Sequence, residues 1–284
     1  LIEQMAMHTG ESIQLLCHTL GVSRAGFYAH RHKAERPRRV QDRKLVEKIG
    51  PIFHQSRRTY GSPRIQIALD RAGERCGKNR IARLMRQQGL RAKQKRRFRP
   101  LTTQSQHRLP VAENWLAKVP APAKPNQVWV GDITYLPTRE GWLYLAIILD
   151  AYSRKVVGWQ TGDSLESSLV TEALKQAWQR RTPAPGLLHH SDRGVQYASS
   201  AQRALLATYQ ITASMSRKGN CYDNAMAESF FATLKTEAFA SAIQPTKTET
   251  RRQLFEYIEA FYNTRRFHSA LGYKSPVEFE NQFS

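Results

Sequence analysis

The spacing of apolar and polar positions along this chain changes character near residue 126. Before that point apolar residues recur at helical intervals. Leu15, Leu16 and Leu20 define the packed face of one short helix and Ser23 is placed to N-cap another, so residues 12–31 read as two helices around a turn at Gly21-Val22. Val40, Leu45, Val46, Ile49, Ile52 and Phe53 keep the helical spacing, with Gly50-Pro51 expected to kink or break that helix. Ser62-Pro63 reads as an N-cap and first-turn proline opening a helix over 64–71. A further helix over about 79–88 places Ile81, Leu84, Met85 and Gln88 on one side and Arg80, Arg83 and Gln87 on another, and Gly89 stops it. Beyond 126, strand-like runs at 127–137, 142–150 and 154–161 predict a hairpin-connected meander, with Arg139-Glu140-Gly141 and Tyr152-Ser153 at the turns. A helix over 165–180 capped by Ser164, a strand at 187–191, a helix at 199–209, a strand at 211–215 and a helix through Glu228 follow. Two more helices, about 246–263 and 276–282, complete the chain. The pattern predicts a mixed five-stranded α/β sheet preceded by an all-α region that resembles a helix-turn-helix.

Charge sharpens that division. The 284 residues carry a net charge of +21. Residues 1–125 hold 27 Lys and Arg against 8 Asp and Glu, whereas residues 126–284 hold 17 against 15. A basic module joined to a nearly neutral one is the charge distribution of a DNA-binding part tethered to a catalytic part. The densest stretch, Arg91 to Arg99, has six cations in nine residues and predicts an extended arm on phosphates or in a minor groove, with Lys95, Arg96 and Arg97 at its centre. Pro100, Pro110, Pro120, Pro122 and Pro125 mark a linker. The expected division is a short helix-turn-helix at 1–39, a helical DNA-binding domain with its basic arm at 40–99, a Pro-rich linker at 100–125 and a catalytic domain at 126–284. Cys17, Cys76 and Cys221 are scattered with no CxxC pair, which argues against a disulfide framework or a cysteine zinc site and fits a reducing cytoplasm. No apolar run reaches the ~18 residues of a membrane span, so no membrane partner is expected. The Leu1 start is read as a fragment, an unusual start codon or the downstream part of a longer product.

Three carboxylates carry the chemistry. Asp132 lies inside the apolar run Val128 to Leu136, Asp192 closes the run from Leu187, and Glu228 sits on a helix with 35 residues between it and Asp192. A bare carboxylate in a buried strand is costly unless it is paired or binds a metal, and three converging acids repel one another. A pair of divalent cations is the simplest remedy, and a two-metal clamp is a common device of phosphodiester chemistry. The element order and these positions predict a catalytic domain of ribonuclease H-like type. Asp132, Asp192 and Glu228 are its expected catalytic and metal-binding residues, with two Mg²⁺ or Mn²⁺ ions.

The strings Trp129-Val130-Gly131-Asp132-Ile133-Thr134-Tyr135, His190-Ser191-Asp192-Arg193-Gly194-Val195-Gln196-Tyr197 and Asp223-Asn224-Ala225-Met226-Ala227-Glu228-Ser229 resemble the catalytic boxes of bacterial insertion-sequence transposases. More narrowly they resemble the second-reading-frame (OrfB) product of the insertion-sequence-three family, whose core is similar to that of retroviral integrases. Tyr262-Asn263-Thr264-Arg265-Arg266-Phe267-His268-Ser269-Ala270-Leu271-Gly272-Tyr273, followed by Ser275-Pro276, also resembles that family. The match spans roughly residues 40–284, and the His/Cys zinc module of retroviral integrases has no counterpart in it. The resemblance implies cleavage and joining of double-stranded DNA at element ends and in target DNA, and a homo-oligomeric synaptic complex. It also implies an upstream-frame product or frameshift fusion, acting in the bacterial cytoplasm on nucleoid DNA.

Other residues receive more local readings. Asp150 stabilises a turn, Asp223 N-caps a helix, and His189 and His190 pack or bond to backbone. Lys235, seven residues after Glu228, contacts the DNA end, as do Arg80, Arg83 and Gln87 on their helix. Arg217-Lys218-Gly219-Asn220 reads as a DNA-facing loop. For Arg265 and His268 two roles stay open, DNA contact or anchoring of the final helix. A non-catalytic DNA-binding regulator would lack one of the three acids, and a nuclease or junction resolvase on the same fold would cut without joining.

Overall fold

The computed structural model describes residues 1–31, 37–93, 109–217, 224–239 and 243–282. Lys95, Arg96, Arg97, Asp223 and the 218–220 part of the expected loop lie outside these residues. The chain forms two units, Leu1–Pro51 and Ile52–Ser284.

The first unit begins with α1 (Ile2–Thr9), a helix that the apolar spacing does not signal, followed by α2 (Ile13–Thr19) and α3 (Arg24–Arg31). Ser12 caps α2 by accepting from the Leu15 N–H, and the Ser23 hydroxyl accepts from the Gly26 N–H at the start of α3. Leu16 is buried together with Cys17, but Leu15 and Leu20 are exposed. The expected three-leucine face is therefore narrower, because the seven-residue α2 presents only one stripe to α1 and α3. α4 (Pro37–Gln55) runs on through Gly50-Pro51, where the sequence predicts a kink or break. Proline removes one backbone hydrogen bond, and the buried Ile49 and Phe53, one turn apart on either side of it, hold the helix together by packing.

In the second unit α5 (Ser62–Arg71) packs on α6 (Lys78–Gln87) through Ile65 and Leu69 against Ile81, Leu84 and Met85. Gly61, not Ser62, occupies the α5 cap, so the helix starts one residue early, with Pro63 still in its first turn. Gln88 ends α6 and is exposed, not packed, and Gly89 takes the left-handed conformation with φ 66°. Residues 52–93 are fastened to the far end of the chain. The Tyr60 hydroxyl donates to the Arg265 carbonyl (3.0 Å) and accepts from the Phe267 N–H (2.8 Å). Arg71 reaches Glu278 at 3.1 Å, and Lys93 Nζ donates to the Glu237 carbonyl at 2.6 Å.

The sheet has strand order β3-β2-β1-β4-β5, from β1 (Val128–Thr138), β2 (Gly141–Asp150), β3 (Val156–Gly162), β4 (Leu188–Ser191) and β5 (Thr212–Met215). β1, β2 and β3 are antiparallel, and β4 and β5 extend the sheet in parallel with β1. β2 is buried from Leu145 to Asp150 without alternation, as expected of a strand covered on both faces. α7 (Ser167–Arg181) covers β2 and β3, and its Leu169, Val170, Ala173, Leu174 and Ala177 join Trp129, Ile148 and Val157 in the core. Its cap is Glu166, whose carboxylate accepts from the Ser164 hydroxyl, so the expected cap sits two residues upstream of the observed one.

α8 (Ser200–Thr208), α9 (Ala225–Glu237), α10 (Lys247–Tyr257) and α11 (Pro276–Glu280) complete the unit. The helix expected over 246–263 ends instead in a π turn, Ile258–Tyr262, which buries Phe261 and Tyr262. That turn delivers Asn263 to the β3 edge, where its amide bonds the Val156 N–H (3.0 Å) and carbonyl (2.9 Å). α11 opens with a Ser275–Glu278 capping box. Among the described residues no helix is long and apolar enough to cross a membrane.

Candidate active site

The parallel register of β1 and β4 brings the first two carboxylates together. Val130 pairs with His190, and each acid lies two residues further along its own strand in the same direction. Asp132 is half-buried, and its Oδ1 accepts from the Ile133 N–H at 2.8 Å. Asp192, just past the end of β4, accepts from the Gly194 N–H at 2.9 Å. Burial first, then the charge of Asp192, pushes the Asp132 carboxyl well above the usual carboxylate range, and Glu228 adds to the rise. Glu228 is exposed on the first turn of α9, immediately after residues the structure does not describe. The three predicted acids therefore share one electrostatic neighbourhood. Hard carboxylate oxygens are the donor set that Mg²⁺ or Mn²⁺ prefers, so the residues fit such ions in kind. Among the described residues no three His, Cys, Asp or Glu side chains converge on a single point.

Lys235, two turns after Glu228, supplies a cation that the charge pattern alone does not reveal. Its ammonium is half-buried 5.0 Å from the centre of the Tyr135 ring. Burial pushes its pKa down, and Asp132 opposes that shift. Tyr197, unlike Lys235, is given no role of its own by sequence. Its hydroxyl is buried with no hydrogen-bond partner among the described residues, and burial, then Asp132 and Asp192, raises its pKa well above the usual value. A phenol that stays protonated beside two acids is a donor awaiting an acceptor. His189 lies beneath it, ring centres 6.0 Å apart, and burial followed by His190 pushes its pKa down to about 3. The approach of His189 explains Gly131, since a Cβ there would meet the His189 Nε2 at 2.8 Å. Gly194 is similar, because a Cβ would stand 3.0 Å from the Asp192 Oδ1 that its N–H holds.

Of the local readings, Asp150 is indeed structural, its oxygens accepting from the Asn126, Tyr152 and Ser153 N–H groups. His190 is buried and bonds the Ser214 hydroxyl at 2.9 Å. On α6, Arg80 and Arg83 are half-buried and Gln87 exposed, with Arg83 Nη1 donating to the Gln87 side-chain Oε1 at 3.1 Å. These three lie apart in sequence from the carboxylates. Arg265 is exposed and anchors Tyr60 through its carbonyl, whereas His268 is turned inward beside Arg266. The strongest structural acid, Glu237, carries no signal in the sequence pattern. It is buried at the end of α9, bonded twice by Arg266 at 2.8 Å and once by the Tyr257 hydroxyl at 2.8 Å.

A 3-2-1-4-5 mixed sheet with one acid within β1 and another just past the end of the parallel β4 is the fold of the ribonuclease H-like polynucleotidyl transferases of the Asp-Asp-Glu type. Integrase core domain models match residues 122–221 and 209–276, and an HTH-like domain model matches 40–98. The chain is 44% identical over 268 residues to an insertion element IS600 protein of Shigella sonnei, covering 94% of this chain and 98% of that one. It is 41% identical to the transposase for IS904 of Lactococcus lactis, covering 88% of this chain and 98% of that one. Against the transposase InsF for IS3A of Escherichia coli K12 it is 40% identical, covering 95% of this chain and 94% of that one. The chain belongs to the IS3 family of insertion-sequence transposases, and DNA transposition is its activity. Among solved structures it is similar to a simian T-cell lymphotropic virus intasome, at 17% identity and a TM-score of 0.48, covering 76% of this chain and 70% of that one. It is also similar to the HTLV-2 integrase catalytic core with magnesium, at 16% identity and a TM-score of 0.42, covering 56% of this chain and 98% of that one.

Proposed function

We propose that the chain cleaves DNA strands at the ends of an insertion sequence and joins them to target DNA, with Asp132, Asp192 and Glu228 as a triad holding two Mg²⁺ or Mn²⁺ ions. The observation that carries this reading is the parallel β1–β4 register, which sets two mutually repelling acids side by side. Held by these three carboxylates, such ions would supply Lewis-acid activation of an attacking water or 3′-hydroxyl and charge neutralisation at the leaving oxygen. The protein's own part is to hold the acids in place. The Ile133 N–H fixes the Asp132 carboxylate, the Gly194 N–H fixes Asp192, and α9 carries Glu228 toward them. Lys235 adds a positive charge beside Asp132 and is proposed to contact the DNA end. Phosphoryl transfer asks mainly for positioning and charge neutralisation, so no side chain is required as nucleophile.

The first half is proposed to read the element ends. Arg80, Arg83 and Gln87 project from α6 for base contacts, and Lys95, Arg96 and Arg97 neutralise phosphates. In this reading the segments 1–39, 40–99, 100–125 and 126–284 act as helix-turn-helix, DNA-binding domain, linker and catalytic domain. Acting on two ends at once calls for several copies in a synaptic complex, with an upstream-frame product as a further partner, in the bacterial cytoplasm.

The test is strand transfer with labelled 3′-hydroxyl ends in Mg²⁺. Asp132→Asn, Asp192→Asn and Glu228→Gln should each abolish cleavage and joining while the fold and DNA affinity persist. Near wild-type joining by any one of them removes that residue from the triad, and cutting without joining by the unaltered chain would make it a nuclease.

A further inference from the structure

The Tyr262–Ser269 motif takes no part in the carboxylate site, yet it closes a cavity of about 430 Å³ along one flank of α9. Ser229 and Thr233, one and five residues beyond Glu228, reach the cavity from that helix. Across from them stand Arg64 of α5, Arg154 of the β2–β3 turn, and Arg266 and His268 of the motif. The charges do not balance. Arg266 is committed to Glu237, and Arg64 is 4.0 Å from the same carboxylate. Arg154 makes no ion pair or side-chain hydrogen bond with a described residue; the nearest acid acting on it, Asp150, is already occupied by backbone N–H groups. His268 adds no charge of either sign, because burial, then Arg266, Arg64 and Arg154, pushes its pKa down to about 2. Among the described residues, three guanidiniums thus face one carboxylate. Burial lowers the pKa of both Arg64 and Arg154, the mark of cations desolvated without adequate counter-charge. Guanidinium forks with hydroxyls between them suit the tetrahedral, multiply accepting oxygens of a phosphate.

We propose that this cavity binds a backbone phosphate of the DNA strand whose neighbouring phosphate lies at the carboxylate site. The proposal rests on the reading that the chain acts on DNA, and it gives the Tyr262–Ser269 motif a function of its own. Because Arg64 belongs to α5 and Ser229 to α9, one phosphate held there would connect the HTH-like helices with the helix that carries Glu228. His268 serves as a neutral wall, held by the Arg266 Nη1 at 3.3 Å and set edge-on to Tyr262, ring centres 4.8 Å apart.

The full chain is titrated with a fluorescent duplex oligonucleotide across a range of salt, comparing wild type with Arg154→Gln. That substitution removes the charge and breaks no pairing. The expected result is a log–log salt slope shallower by about 0.9 and an affinity about tenfold lower at low salt, with Arg154→Lys recovering most of the slope. An unchanged slope in a folded Arg154→Gln protein overturns the proposal. If that variant does not fold, Arg64→Gln is measured in its place under the same criterion. Inorganic phosphate distinguishes a free-anion site: if it raises the wild-type melting temperature while the Arg154→Gln slope on DNA is unchanged, the pocket serves a small anion and the proposal fails. Strand transfer by the wild type keeps the two readings apart. Active joining with an unchanged slope sinks the pocket alone, whereas a lost slope in a chain that does not join strands sinks the triad and leaves the pocket standing.

Discussion

The two ends of α9 hold acids in opposite circumstances. At its C-terminal end Glu237 is buried and fully provided for, with Arg266, Tyr257 and Arg64 around its carboxylate. At its N-terminal end Glu228 belongs to a group in which Asp132 feels the charges of Asp192 and Glu228, offset among the described residues by Lys235. Buried acids are normally paired, so the first arrangement is what stability asks for. The second persists against electrostatics. Under the proposed function a bound cation would supply the opposite charge there, and the contrast would separate an acid kept for structure from acids proposed for chemistry.

The largest expected effect lies at the N-terminal end. Asp132→Asn keeps the shape and removes the charge, so strand transfer should fall about 10³-fold or more, the equivalent of several kcal/mol of lost metal-borne stabilisation. Ordinary joining rates in that variant would erase the contrast. Next comes the opposite end. Arg266→Met strands the Glu237 carboxylate in the interior and should cost about 3–5 kcal/mol in denaturant unfolding. A drop in stability of under about 1 kcal/mol would show that Glu237 finds water or other donors.

A third prediction turns on sign. The Asp132 carboxyl is raised in the folded chain above its ordinary 3.8, so between those two values the folded protein binds a proton that the unfolded chain releases. Stability from this group is present at acid pH and lost as pH rises through the folded pKa. Asn has no such proton to lose. Without divalent ions at neutral pH, Asp132→Asn should therefore melt a few degrees higher than wild type, about what 1 kcal/mol gives in a domain of this size, and the gap should close on acidification. Mg²⁺ should raise the wild-type melting temperature and leave Asp132→Asn nearly unmoved; equal shifts in both would place the ion elsewhere.

A last effect, on DNA discrimination and not on catalysis or stability, concerns the first half. Replacing Arg80, Arg83 and Gln87 together should reduce discrimination between element-end and random duplex by about 1–3 kcal/mol for each base that is no longer read. Changing Lys95, Arg96 and Arg97 to Ala should weaken both duplexes alike and flatten the salt slope by up to ~3 units. Should the α6 variant instead bind both DNAs more weakly by the same factor, α6 would be a phosphate clamp and not a reader.

Much of this is legible along the chain because it is periodic. The strands at 128–138, 141–150 and 156–162 show as apolar runs between turn residues, and the acids stand out as charges inside or at the ends of such runs. The errors fall where a local signal meets packing. Pro51 reads locally as a break, yet the helix continues under the buried Ile49 and Phe53. Ser164 reads as a cap, yet α7 begins at Ser167.

What the sequence by itself determined is most of the elements, α1 excepted, and the identity of the charged residues within them, since both follow from nearest-neighbour spacing. Only the tertiary structure decided who meets whom. The β1–β4 register puts Asp132 beside Asp192, which is far from it along the chain, and Arg64, Arg154, Ser229 and His268 come to one cavity from four separate segments. Tyr197 gained its place beside the acids, and Glu237 its arginine, in the same way. Pairings at such separations depend on how the sheet and helices close on one another, and no local pattern encodes them.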